Sequence, residues 1–160
     1  VKQAPHEAYH SVLVAVDFSP VSLQAIHMAR QLAPDADLVL LHAFELPYEG
    51  KLNFAGVDEQ VIRQYVAKEA EVRREQLHEL AAAARLAPRD YSGRIIHGDP
   101  SQQIIALEQE VDADLIVVGK HGAHIAEEFL LGSVTRHVLA ESQCDVLVVN
   151  DPRPAPDHLP

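Results

Sequence analysis

The sequence predicts an α/β fold: a doubly wound, five-stranded parallel sheet with helices on both faces. Three observations carry that reading. Four short, largely aliphatic runs and a weaker fifth are spaced along the chain, and segments of helical periodicity with start signals lie between them. Apolar residues make up 48% of the chain and aromatic ones only 5%, so the core is aliphatic, as strands buried on both sides require. At 160 residues the chain has the size of one domain.

The elements follow in order. The run 10–16, His10-Ser11-Val12-Leu13-Val14-Ala15-Val16, stops at Asp17 and reads as a buried strand. Ser19-Pro20 then supplies an N-cap and a first-turn proline. Ala25, Ile26, Ala29 and Leu32 give a helical face, closed by Pro34 and Asp35. The second strand is 38–44, and 47–57 reads as a polar loop with two glycines. A long helix runs from 58 to about 86, with Val61, Ile62, Tyr65, Val66, Leu77, Leu80 and Ala84 at helical spacing. Its mixed-sign stretch 68–74 reads as a solvated face, and Pro88 ends it. A weaker third strand occupies 92–97. Gly98-Asp99-Pro100 is a turn in which Asp99 caps a helix reaching Val111, with Ile104, Ile105 and Leu107 facing inward. The fourth strand is 115–118, the last helix 134–141 and the fifth strand 146–149.

Strands joined by helices run parallel, and right-handed crossovers put helices on both faces, which makes the sheet Rossmann-like. In such sheets ligands sit beyond the carboxyl ends of the strands where strand order reverses. With order 3-2-1-4-5 the reversal falls between strands one and four, beside Asp17 and Gly119. The domain is 10–150; 1–9 reads as a polar lead-in rather than a signal peptide, and 151–160, with four prolines, as a loose tail.

Composition narrows the function. The net charge is −11 with no cluster of Lys and Arg, which argues against a nucleic-acid partner. No apolar run approaches the roughly 18 residues of a membrane span. Cys144 is the single cysteine, so no internal disulfide forms, and a cytoplasmic location is expected. Cys144 itself reads as a small buried residue, since no cation cluster marks a reactive thiolate.

The informative motif lies late in the chain. Val117-Val118-Gly119-Lys120-His121-Gly122 is followed, after nine intervening residues, by Gly132-Ser133-Val134-Thr135. Gly119, Gly122 and Gly132 permit sharp turns and close approach of a ligand to the backbone. The amides of Ser133, Val134 and Thr135, at a helix start, lack intrahelical partners and suit a phosphate. Neither a G-x-G-x-x-G after the first strand nor a G-x-x-x-x-G-K-[ST] is present, which argues against a dehydrogenase or a P-loop ATPase.

The pattern G-x2-G-x9-G-S, with the run from Asp114 to Gly119, the block Leu130–Thr135 and Asp145 to Val149, resembles the ATP-binding branch of the universal stress proteins. Val12-Leu13-Val14-Ala15-Val16-Asp17-Phe18-Ser19 is similar to that family's opening, so the resemblance spans roughly 11–150. It implies an ATP site, or one for another adenine nucleotide, with Mg²⁺. By the resemblance Ala15, Val16 and Asp17 line base and ribose. Ala43 lies beside the adenine, where valine is the expected residue. Val118, Gly119, His121 and Gly122 hold ribose and phosphates, and Gly132, Ser133, Val134 and Thr135 the phosphate chain. It also implies a homodimer through the last strand, 145–149, which otherwise presents an edge bare of Lys or Pro.

Asp17 has two readings: acceptor for a ribose hydroxyl or helper of Mg²⁺, or shaper of the turn into the first helix. His121 and His124 lack the further ligands of a structural zinc site, and Lys120 is a candidate extra cation. No ordered catalytic set is visible. The leading expectation is a nucleotide-dependent stress-response module with an unidentified protein partner. Alternatives are a slow ATPase or self-phosphorylating enzyme, and a dimerising scaffold.

Overall fold

The computed structural model describes residues 7–120 and 131–150. The strands are β1 (Ser11–Ala15), β2 (Asp37–Phe44), β3 (Ser92–His97), β4 (Leu115–Gly119) and β5 (Asp145–Val149). The helices are α1 (Pro20–Leu32), α2 (Glu49–Phe54), α3 (Glu59–Ala83), α4 (Pro100–Glu110) and α5 (Ser133–Glu141). The sheet is parallel throughout, in the order β3-β2-β1-β4-β5, with Leu13 in register between Val39 and Ile116.

Strand alternation sorts the core into two layers. Val12, Val14, Leu38, Leu40 and Val117 pack on one face against Ala25, Ile26 and Ala29 of α1 and Leu77 and Ala81 of α3. Leu13, Val39, Leu41, Ile116 and Val118 pack on the other against Ile104 and Leu107 of α4 and Val138 of α5. Burial of an aliphatic side chain contributes about 1.5–3 kcal/mol, so the double layer supplies most of the driving force. Tyr9, ahead of β1, also packs against the first layer, and its hydroxyl donates to Asp145 Oδ2 at 2.8 Å.

Three local expectations change. Segment 47–57 is not all loop: α2 begins after Tyr48, whose φ is 65°, and Glu49 reaches His97 at 2.8 Å. A six-residue helix that buries nothing leaves no apolar period to read. Along α3 only Ile62, Leu77 and Ala81 are buried, whereas Val61, Tyr65 and Val72 are exposed. The physical reason is length. A 25-residue helix spans about 37 Å, whereas the six-residue β3 beneath it spans about 20 Å, so much of α3 has no sheet to face. Ser19 holds the N-cap position of α1 but makes no side-chain cap bond, because its hydroxyl is turned to Asp17. Asp99, in contrast, caps α4 through the amide of Gln102.

Candidate functional site

β1 and β4 are adjacent, but their following helices leave to opposite faces, so a crevice opens beyond Ala15 and Gly119. A cavity of about 290 Å³ occupies it. Ala15, Val16, Asp17, Ala43, Val118, Gly119, Gly132, Ser133, Val134 and Thr135 all line this one cavity. His121 and Gly122 lie outside the described residues.

On the β1 side, Asp17 is held by a tight set of bonds. Its Oδ1 accepts from the Ser19 amide at 3.0 Å, the Ser19 hydroxyl at 2.5 Å and the Ser22 hydroxyl at 2.9 Å. Ser22 Oγ in turn accepts from the Asp17 amide at 3.0 Å. Phe18, between them, has φ 63°, a left-handed conformation that costs a non-glycine residue about 1–2 kcal/mol. The turn-shaping role of Asp17 is therefore real for Oδ1, while the residue still borders the cavity.

On the β4 side, the Thr135 hydroxyl donates to Gly119 O at 2.5 Å, and the Gly132 amide donates to Lys120 O at 3.0 Å. These bonds fix the start of α5 over the end of β4. Gly132 is the N-cap, with φ −60° and ψ 156°, and Arg136 is the first residue to donate back to its carbonyl at 3.0 Å. The amides of Ser133, Val134 and Thr135 thus have no acceptor within the helix, and they carry the positive end of its dipole. Gly132 adopts ordinary extended backbone, so of the two expected reasons for a glycine, a sharp turn and close approach of a ligand, its φ does not support the first. Its value is the missing side chain at a cavity wall. Positive φ among the described glycines is confined to Gly56 and Gly98.

The cavity also takes in Val21, Ser22, Leu41, His42, Pro100 and Ile104, which the sequence reading missed. Two of these carried a signal. His42 is the one polar residue inside the apolar run 38–44, and Ser22 lies three and four residues before the buried Ala25 and Ile26 of α1. Burial holds the His42 imidazole below its usual value of 6.5, and the Arg73 charge adds to that, against the opposing bond to Val16 O and the Asp17 charge. At neutral pH the ring is uncharged.

The described lining therefore offers one carboxylate, one neutral imidazole, apolar walls and three outward amides. That set suits a ligand with an apolar ring, a hydroxyl-bearing middle and an anionic end. Among the described residues no three His, Cys, Asp or Glu side chains gather at metal-binding spacing. Among them, too, no helix is long and apolar enough to cross a membrane. Cys144 is buried, and its thiol is pushed up to about 12, chiefly by burial and by the neighbouring Glu108 carboxylate. A thiol of that kind stays protonated and unreactive at neutral pH.

A model of the universal stress protein family matches residues 8–150. The universal stress protein Rv1636 of Mycobacterium tuberculosis is 33% identical over 147 residues, covering 89% of this chain and 97% of its own. A crystal structure of a universal stress protein in complex with cAMP is similar at TM-score 0.59 and 32% identity, over 89% of this chain and 98% of that one. The hypothetical protein MJ0577 of Methanocaldococcus jannaschii shares the fold at TM-score 0.72 and 24% identity, over 92% of this chain and all 100% of that one.

Proposed function

This chain belongs to the universal stress protein family, and from that premise we propose that its crevice binds an adenine nucleotide and that occupancy regulates a surface read by a partner. One observation carries the reading. Ten of the twelve residues expected at the site converge on a single cavity, with a carboxylate at one end and, at the other, helix amides that have no acceptor within the helix. The base would enter beside Ala43, the ribose would meet Asp17, and the phosphates would lie on the amides of 133–135. The cAMP complex of a relative at 32% identity supports an adenine nucleotide as the class of ligand. Mg²⁺, if it accompanies ATP, would ride chiefly on the phosphates, since among the described residues Asp17 is the one carboxylate lining the cavity. Ser133 borders the cavity, but among the described residues its lining supplies no second carboxylate to act as a base, so binding rather than hydrolysis is the reading favoured.

Thermal unfolding with ATP, AMP and cAMP, each with and without Mg²⁺, tests this. A ligand at a hundred times its Kd stabilises the native state by about 2.7 kcal/mol. For a chain of this length that raises Tm by about 5–10 °C. No shift with any of the three removes the proposal.

The reading extends to a homodimer. β5 is the outer strand beyond β4, and Val146, Leu147 and Val148 are only half-buried. A second copy laid against this edge would satisfy its backbone and cover those side chains. Sedimentation at micromolar concentration is expected to give twice the chain mass of 17.6 kDa, and a monomer would remove this part.

A further inference from the structure

We propose that His42 is a positioning residue for the crevice: its neutral ring braces the turn 16–19 against helix α3, so that protons weaken nucleotide binding. The proposal rests on the crevice being a nucleotide site. Its geometry stands independently of that.

The ring is read through its two nitrogens. Nδ1 lies 2.8 Å from Val16 O, and a carbonyl only accepts, so Nδ1 carries the proton. In the neutral ring Nε2 is then an acceptor. It is buried and has no hydrogen-bond partner among the described residues. Arg73 of α3 presents the complement. Its Nη1 donates to Gln76 Oε1 at 3.2 Å and its Nη2 pairs with Glu69 Oε2 at 3.3 Å, while its Nε–H is buried with no hydrogen-bond partner among the described residues. An orphaned acceptor on β2 and an orphaned donor on α3 thus remain in one packing layer, and the Arg73 charge is near enough to act on the ring. A hydrogen bond between them, direct or through one water, would require that Nε2 be unprotonated.

The same ring supports the strained turn. Phe18, at φ 63°, lies against His42 with ring centroids 4.4 Å apart and planes tilted by 37°. Aromatic contacts of this kind contribute about 0.5–1.5 kcal/mol, comparable with the cost of the left-handed backbone. His42 therefore holds Val16 by its carbonyl and Phe18 by its ring, on both sides of Asp17. Beyond it the stack continues to Phe44, at 6.5 Å, and from Phe44 to His97, which pairs with Glu49. The titratable and charged groups around the ring are Asp17 from the β1–α1 turn, Arg73 with its partner Glu69 from α3, and His97 with Glu49 behind Phe44.

Protonation would turn Nε2 into a donor, add a second cation beside Arg73 and leave two donors facing without an acceptor. The folded-state value of His42 is lowered, so the unfolded chain binds its proton first as pH falls below 6.5. The stabilisation supplied by the neutral ring is then present above 6.5 and lost as pH falls toward the lowered value.

The test compares wild type, His42→Asn and His42→Leu by calorimetry with cAMP and with ATP·Mg²⁺ at pH 7.5 and at pH 5.5, alongside ¹⁵N spectra of the ligand-free imidazole. Asn keeps a donor near Nδ1 and cannot titrate; Leu cannot titrate either and lacks the donor. Wild-type affinity is expected to fall on acidification by up to about tenfold per pH unit, the limit for one linked proton. His42→Asn gives up the Phe18 ring contact but keeps a donor, so it is expected to lose about three- to tenfold at pH 7.5 together with the pH dependence, and His42→Leu to lose at least about tenfold. The spectra are expected to show the Nδ1–H tautomer with a midpoint below 6.5. Leu binding like wild type, or Asn retaining the pH slope, overturns the proposal. An Nε2–H tautomer overturns the brace whether or not nucleotide binds. Absence of wild-type binding at pH 7.5 instead sinks the reading of the crevice, and the spectra still decide the state of the ring.

Discussion

Replacing Glu108 with alanine is expected to destabilise the fold by about 2–4 kcal/mol, the largest stability effect of any single polar side chain described above. Glu108 sits on α4 and is 4% exposed. Its Oε1 accepts from the Ser142 hydroxyl at 3.0 Å, the Gln143 amide at 2.8 Å and the Cys144 amide at 2.9 Å. These three donors belong to the turn between α5 and β5, so one oxygen ties the two helices of the second layer to the outer strand. Ser142 and Cys144 are themselves buried. Alanine removes the acceptor they share and leaves them only the longer bonds of the turn itself, Ser142 Oγ to Cys144 O at 3.2 Å and Cys144 N to Ser142 Oγ at 3.3 Å, at about 1–3 kcal/mol for each donor left poorly met. Tm is expected to fall by about 10 °C. Urea unfolding reads the same loss as a lower midpoint at an unchanged slope. Glu108→Gln keeps an acceptor at Oε1 and is expected to lose less, about 1–2 kcal/mol. The amide nitrogen then stands in for Oε2, which has no hydrogen-bond partner among the described residues, and becomes an unmatched donor. If Glu108→Ala melts within about 2 °C of wild type, the turn has another way to satisfy its amides.

Asp17→Ala is expected to do the reverse: little to stability and much to binding. Asp17 Oδ1 also accepts from three donors, but Asp17 and Ser19 are only half-buried and the turn borders the open cavity. Water replaces the lost acceptor there, and the stability cost stays near 1 kcal/mol. Nucleotide affinity, however, loses a charge-assisted acceptor worth about 1.5–3 kcal/mol, which is roughly ten- to a hundredfold in Kd. Calorimetry with ATP and cAMP measures this, and Asp17→Asn separates the causes. Asn retains an acceptor for Ser19 and Ser22 and loses the charge, so a loss shared by both variants assigns the effect to the carboxylate. Unchanged affinity in both would confine Asp17 to shaping its turn.

The contrast between Glu108 and Asp17 shows how much of this protein is legible before folding. Asp17 stands out because it interrupts an apolar run at the point where a strand must end. Glu108 does not, because a glutamate on a helix flanked by Gln109 and Glu110 looks like its exposed neighbours. Val61 and Tyr65 mislead in the opposite sense: their spacing is right for a buried face, but α3 outruns the sheet. Gly132 was assigned to the site on its spacing, and it does line the cavity, though for its missing side chain and not for an unusual φ.

Local pattern determined the five strands, the alternation with helices and the position of the crevice, because periodicity, caps and chain reversal are properties of neighbours in sequence, whereas Ala15, Val16, Ala43 and Val118 at the cavity were expected only through the resemblance to a family. The tertiary structure decided which polar groups are withdrawn from water. His42, Ser22 and Glu108 owe their roles to what packs opposite them, from residues up to 36 positions away along the chain. Burial is a property of facing surfaces, and a sequence records only one of the two.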